Sequence, residues 1–290
     1  MTWQFDSRLE HASTLPSRYY IDPAVLDHEN RNVFARTWQL AGRLEQVREP
    51  GQYFTATIAG EPLLVVRGND GVLRAMSNVC RHRAGPIAKG EGKRPVLQCG
   101  YHGWTYSLDG RLAVTPEFDG AAGFDRASCV LPQFRVDVWN ELVFVNLDPG
   151  SGPLTDFLGE LLRDMPPHDY TGFQLAHRKT WELDCNWKVY VDNYLEGYHI
   201  PIVHPGLFRE LDYPSYRTDT KRNYSIQIAP TRRPERIRGD DDVRYFWIFP
   251  NLMLNVYADN FSTNLIVPLG PGRTATLFDW YFKDPAAVKQ

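Results

Sequence analysis

Two Cys/His pairs, Cys80-Arg-His82 and Cys99-Gly-Tyr-His102, are separated by sixteen residues in this chain of 290. One such pair would read as a buried thiol beside a surface imidazole. Two pairs, each on a turn after a short strand, read as a metal site. Two thiolates and two imidazoles could hold zinc, but zinc sites usually draw on Cys-x2-4-Cys and His-x3-5-His spacings. Here each loop supplies one Cys and one His, which suits a [2Fe-2S] cluster gripped by both loops. Cys80 and Cys99 would take one iron, and His82 and His102 the other. Neutral imidazoles in place of two thiolates raise the potential of such a cluster to roughly −150 to +300 mV. Gly85-Pro86 and Gly100 permit tight turns whose amide N–H groups face the sulfides, and Trp104 and Tyr106 can shield the site from water.

A second constellation lies in Asn186-Trp-Lys-Val-Tyr-Val-Asp-Asn-Tyr-Leu-Glu-Gly-Tyr-His-Ile-Pro-Ile-Val-His204. A helix over 186–199 would place Asp192, Glu196 and His199 at i, i+4 and i+7 on one face. Pro201 would end that helix, and the turn could bring His204 beside His199. Two imidazoles converging with a carboxylate form the facial set that holds a mononuclear Fe(2+) with positions open for O2. The plainer alternative is a pair of unrelated, hydrogen-bonded histidines.

The elements that must position these residues follow from pattern. Asp22-Pro23 starts a helix whose apolar residues run from Ala24 to Trp38, so residues 1–38 form a helical lead-in. Strands at Tyr53–Ile58, Pro62–Val66, Leu73–Val79, Val96–Cys99 and Val143–Leu147, separated by Gly/Asp/Asn turns, make 39–148 an antiparallel β domain. Asp148-Pro-Gly-Ser-Gly-Pro153 marks a boundary. In 149–290, helices are expected at Leu154–Asp164 and Asn186–His199. Strands are expected at Tyr224–Ile228, Tyr245–Phe249, Leu252–Tyr257, Asn264–Val267 and Thr274–Phe282. Arg232–Arg238 and Asp240–Asp242 would form a polar connecting loop. The fold class is α+β.

Composition narrows the function. The chain is 43% hydrophobic and 23% charged, with net charge −3, so no strong field favours nucleic acid or an anionic membrane. No window approaches the roughly 18 apolar residues of a membrane span. Met1-Thr-Trp-Gln-Phe-Asp lacks the pattern of a signal peptide, so a cytoplasmic chain is expected, in which four cysteines serve as thiols or metal ligands.

The runs Cys80-Arg-His-Arg-Ala-Gly-Pro86 and Cys99-Gly-Tyr-His-Gly-Trp104 resemble the two boxes of Rieske non-heme iron oxygenases, and the likeness extends from about Trp38 to Phe282. The resemblance implies a Rieske β domain, then a helix-grip (START-like) catalytic domain, in a homotrimer served by an NAD(P)H-dependent flavin/iron-sulfur reductase. It implies that Cys80, His82, Cys99 and His102 bind the cluster and that His199 and His204 bind the catalytic iron. Glu196 would bridge His199 to His102 of a neighbouring subunit, and Asp192 would tune the iron. The family's third iron ligand is an aspartate beyond the last strands. Asp259, Asp279 and Asp284 are in range, yet none has the expected helical context, so the chain is expected to be truncated relative to its relatives.

Glu196 stands where ring-hydroxylating relatives usually carry Asp, which resembles the choline, carnitine and glycine-betaine monooxygenase branch. A quaternary ammonium substrate would favour an aromatic cage, for which Tyr198, Phe246, Trp247 and Tyr257 are candidates. The alternatives are an aromatic ring-hydroxylating dioxygenase subunit and a Rieske electron-transfer protein without a competent mononuclear iron site.

Overall fold

The computed structural model describes residues 4–118, 120–166, 170, 172–232, 243–257 and 260–285. The chain forms two compact units, Asn30–Phe157 and the combination of Met1–Glu29 with Leu158–Gln290.

Ahead of the first unit come short helices α1 (Arg18–Ile21) and α2 (Pro23–Asn32). The Asp22 carboxylate accepts from the Ala24 N–H at 2.9 Å, and Pro23 takes the first helical position, where its missing N–H costs nothing. The unit itself is built from β1 (Gln39–Arg43), β2 (Gln52–Ile58), β3 (Glu61–Arg67), β4 (Leu73–Ser77), β5 (Glu91–Lys93), β6 (Leu97–Gln98), β7 (Thr105–Tyr106), β8 (Leu112–Val114), β9 (Gln133–Trp139) and β10 (Leu142–Asn146). Seven of them make an antiparallel sheet ordered β1-β10-β9-β4-β3-β2-β5, and β6-β7-β8 make a small second sheet. Leu63, Leu64, Val65 and Val66 of the central strand β3 are all fully buried. The period of two sends Leu64 and Val66 into the core that contains Cys80, Cys99, Trp104 and Tyr106, and Leu63 and Val65 into a separate core on the other face. One continuous apolar run thus anchors the cluster loops and closes the back of the sheet.

Two short helices, α3 (Leu154–Leu158) at the end of the first unit and α4 (Leu161–Asp164) in the second, replace the single helix expected over 154–164. Gly159, at φ 53°, breaks it. A seven-stranded antiparallel sheet follows, ordered β11-β17-β16-β15-β14-β13-β12. Its strands are β11 (Gln174–Leu183), β12 (Arg217–Thr220), β13 (Tyr224–Ala229), β14 (Val243–Ile248), β15 (Leu252–Val256), β16 (Asn260–Gly270) and β17 (Arg273–Phe282). Helix α5 (Trp187–Tyr194) lies on this sheet, with Tyr190 Oη accepting from Asn264 Nδ2 at 2.8 Å and Tyr194 Oη donating to Asn255 Oδ1 at 2.9 Å. Two shorter helices, α6 (Ile200–Val203) and α7 (Pro205–Glu210), come next. The expected polar loop lies mostly outside the described residues, which omit 233–242.

Helix α5 is fixed at its N-terminal end. Asn186 caps it, accepting from the Lys188 N–H at 3.0 Å. Buried Glu29 accepts from Lys188 Nζ at 2.6 Å and from Trp187 Nε1 at 2.8 Å. Removing one member of a buried pair strands the other charge. Glu29→Ala should therefore cost about 3–5 kcal/mol of unfolding free energy in urea, followed by tryptophan fluorescence. A loss below about 1 kcal/mol would mean that Lys188 reaches solvent instead.

Candidate functional site

The two cluster loops share one backbone design. In the first, the Cys80 N–H donates to Gly85 O at 2.9 Å and the Ala84 N–H returns to Cys80 O at 3.0 Å. In the second, the Cys99 N–H donates to Trp104 O at 2.9 Å and the Gly103 N–H returns to Cys99 O at 3.1 Å. Both loops therefore close five residues after the cysteine, and both turn through a positive φ, 55° at Ala84 and 72° at Gly103. Matched loops present matched Cys/His pairs. Cys80 and Cys99 are buried as free thiols, and the His82 and His102 rings stand edge to face, 4.6 Å apart.

The donor set fits a [2Fe-2S] cluster. His82 Nδ1 is buried without a hydrogen-bond partner, which an unliganded core imidazole would rarely tolerate. The ring is held by stacking on Trp104 at 4.8 Å. Burial, reinforced by His102 and Arg83, pushes its pKa down and keeps it a neutral ligand. Burial raises the Cys99 thiol, while the Tyr101 and His102 N–H groups pull it toward the thiolate that iron requires. Tyr106 Oη lies 3.3 Å from Cys80 Sγ and accepts from the Arg81 N–H at 2.9 Å, tying the first loop to β7. Gly85 passes so close that a Cβ there would stand 3.2 Å from Cys99 Sγ. Among the described residues no three or more His, Cys, Asp or Glu side chains gather as ligands of one metal ion. A closed zinc site would need four. A diiron cluster asks only two protein ligands of each iron.

The second constellation is positioned differently from the sequence expectation. Helix α5 ends at Tyr194 because Gln227 Nε2 takes the Tyr194 carbonyl at 2.6 Å, the acceptor that a further turn would have used. Asp192, Glu196 and His199 are consequently not on one helical face. Asp192 is exposed and accepts from Tyr20 Oη at 2.7 Å, which with burial raises the tyrosine to about 12. Pro201 does not end the helix. It occupies the first turn of α6, where no N–H is missed. His199 caps the start of this one-turn helix and His204 its end, so the turn itself brings the two rings to 5.2 Å.

Glu196 completes the arrangement. Its Oε1 lies 2.5 Å from His199 Nδ1, and its Oε2 accepts the His199 backbone N–H at 3.2 Å. With Nδ1 occupied, His199 has Nε2 free for a metal. The three side chains line a cavity of about 210 Å³, and among the described residues no third ligand joins the histidines there. Asp279 is committed to Arg178 and Tyr281, and Asp259 lies outside the described residues.

Aromatic walls are present, though not from the residues expected. Tyr198 is 77% exposed, Phe246 is fully buried, and neither these nor Trp247 and Tyr257 line the cavity. Tyr190, Tyr194, Tyr216 and Tyr245 do. Tyr190 and Tyr194 carry a readable signal, since the spacings Trp187 to Tyr190 and Tyr190 to Tyr194 are each about one helical turn, which puts all three toward one side of α5.

Gly197 lets the loop between Glu196 and His199 form. A Cβ there would stand 2.5 Å from the Tyr216 ring, so Gly197→Ala must displace the chain between Glu196 and His199. The variant should bind Co2+, used as a spectroscopic stand-in, at least about tenfold more weakly at His199/His204 while keeping its cluster absorption. Unchanged Co2+ affinity would show that Tyr216 yields instead.

Residues 37–134 match the Rieske [2Fe-2S] domain, and residues 172–289 match the ring hydroxylating alpha subunit (catalytic domain). Choline monooxygenase of Spinacia oleracea is 34% identical over 292 residues, covering 97% of this chain and 66% of that protein. The carnitine monooxygenase oxygenase subunit of Escherichia coli K12 is 34% identical over 291 residues, covering 96% and 77%. This chain thus spans about two thirds of the length of the plant relatives. Among solved structures, the quaternary ammonium Rieske monooxygenase CntA in complex with L-carnitine superposes with a TM-score of 0.84 at 31% identity, covering 93% of this chain and 76% of that one. Naphthalene 1,2-dioxygenase from Rhodococcus sp., at 23% identity and a TM-score of 0.78 over 92% and 73%, shares the fold.

Proposed function

The chain belongs to the Rieske ring-hydroxylating oxygenase alpha-subunit family, and we propose that it is an oxygenase component acting on a small quaternary ammonium compound. Cys80 and Cys99 would hold one cluster iron and His82 and His102 the other, while His199 and His204 would hold a mononuclear iron. When bound, the cluster supplies single electrons and the mononuclear iron supplies O2 activation. The chain's own residues do the rest. Glu196 fixes the tautomer and direction of His199 through two hydrogen bonds, and offers its carboxylate to His102 of a second copy in a homotrimer. The tyrosine-lined cavity orients a cation beside the histidines and limits water around it. A flavin/iron-sulfur reductase as electron donor and a cytoplasmic setting complete the reading, and no described helix is long and apolar enough to cross a membrane.

The observation that carries this reading is the Glu196–His199–His204 set lining one cavity, in a chain that also presents two matched Cys/His loops. Iron and sulfide counting tests it. About three irons and two sulfides per chain, with O2 uptake dependent on reductase and a trimethylammonium substrate, are expected. Two irons, two sulfides and no O2 uptake would leave an electron-transfer protein. The absence of a third ligand among the described residues favours that second reading. An aromatic hydrocarbon substrate fits less well, because Glu196, Gln227, Asn255 and four tyrosines set polar groups among the apolar surface of the cavity wall.

A further inference from the structure

The two Cys/His loops treat their imidazoles differently. His102 is exposed, with the exposed Tyr101 ring against it at 3.8 Å. His82 turns inward. Its Nδ1 is buried, and its ring stacks on buried Trp104 with centroids 4.8 Å and planes 11° apart. Trp104 in turn meets Phe118 at 5.5 Å and Phe124 at 5.6 Å, and the two phenylalanines meet each other at 4.7 Å. Phe118 also stands edge to face with the His82 ring at 6.3 Å.

Phe118 and Phe124 belong to neither loop. They come from the segment between β8 and β9, and that segment is tied down. Arg126 Nε donates to Thr115 Oγ1 at 3.1 Å, which closes the chain around both phenylalanines. Asp125 caps the short 3-10 turn Arg126–Cys129 by accepting from the Ala127 N–H at 2.9 Å, and the Leu131 N–H donates to Gly110 O at 3.0 Å. Both rings pack on the core that contains Cys80, Cys99 and Trp104.

One-electron reduction of a [2Fe-2S] cluster takes one of its two Fe(III) ions to Fe(II) and leaves the cluster one charge more negative. Water stabilises that extra charge and apolar neighbours do not, so solvent exposure is one of the factors that set the potential. We propose that Phe118 and Phe124 are positioning residues of the cluster: with Trp104 they cover His82, keep water from that side and hold the potential down. The same cover leaves His102 as the ligand open to Glu196 of a second copy. The proposal rests on the cluster part of the oxygenase reading and goes beyond it, needing neither the mononuclear iron nor a substrate.

An EPR-monitored redox titration of the full chain, with its cluster loaded, reads the effect without turnover. Phe118→Leu, Phe118→Val and Phe118→Ala open the cover in steps, and Phe124→Ala opens it from the second ring. At the parent's midpoint, the ratio of reduced to oxidised cluster should rise about threefold to tenfold in the two alanine variants. Tenfold corresponds to about 59 mV for one electron. Phe118→Leu should stay within about twofold of the parent and Phe118→Val should fall between, so the series still reads if an alanine variant sheds its cluster. Deuterium modulation of the electron spin echo, recorded on reduced samples in D2O, should deepen in the same order. Phe134→Ala is the control, because Phe134 packs in the separate core on the other face of the sheet. It should leave both readings at parent values. Readings that stay flat across the Phe118 and Phe124 variants, or that move equally in Phe134→Ala, overturn the proposal and leave the cluster reading intact. A parent that holds no two irons and two sulfides at the Cys/His loops overturns the cluster reading, and the proposal falls with it.

Discussion

His82→Ala should yield a folded protein that has lost its [2Fe-2S] cluster, with iron falling from about three to about one per chain and sulfide to near zero. The reason lies in how little else the ring does. His82 Nδ1 is buried without any protein partner, and the ring is held by stacking on Trp104 at 4.8 Å and by the edge of His102 at 4.6 Å. Its removal leaves one iron with a single imidazole while the two cysteines still hold the other. The sheet should survive, because its core is Leu63, Val65 and their neighbours on the face away from the loops. Far-ultraviolet circular dichroism should therefore stay near that of the parent while visible absorption and the Rieske-type EPR signal disappear. His82→Cys supplies the complementary result. A thiolate can replace the imidazole, but its extra negative charge should pull the potential toward the roughly −400 mV of all-cysteine ferredoxin clusters. A Rieske-type EPR signal retained in His82→Ala would refute the ligand assignment.

The two Cys/His loops were legible in the sequence because their geometry is local. Each Cys/His pair lies within four residues, and each loop is closed by a hydrogen bond spanning five. The β pattern was also readable where one face is apolar. It was missed where it is not: β11 is largely exposed along its length at a sheet edge, so it carries no apolar alternation. Strand β9 is absent from the strands expected by pattern, although Phe134, Val136 and Val138 alternate with polar residues. At the loop carrying Glu196, His199 and His204, the residue types were readable but their geometry was not. Helical periodicity extended α5 through His199, whereas Gln227, thirty-three residues away, captures the Tyr194 carbonyl and ends the helix. The cavity wall depended on the same kind of distant information. Gln227, Tyr245 and Asn255 become neighbours only through the register of three strands.

Glu196→Gln should keep both metal sites loaded and slow turnover by roughly 10–100-fold, because the carboxylate serves two functions that the amide separates. The first is orientation. Glu196 accepts from the His199 backbone N–H at 3.2 Å and meets His199 Nδ1 at 2.5 Å. A glutamine has one acceptor oxygen, so it can keep the ring contact and the Nδ1–H tautomer but not both bonds. His199 Nε2 then still faces the cavity, and iron content should remain near three per chain. The second function is the negative charge that would link His199 to a cluster histidine of a second copy, and glutamine lacks it. The defect should therefore appear after cluster reduction: the reductase reduces the cluster at the parent rate, and reoxidation by O2 in the presence of substrate slows by the full factor. If Glu196 acted only through orientation, the variant would instead lose iron, and excess Fe(II) would restore its rate. Glu196→Asp separates the two functions from the other side, since it keeps the charge on a shorter arm. It should retain more turnover than glutamine only if the charge, rather than the reach of the side chain, couples the two metal sites.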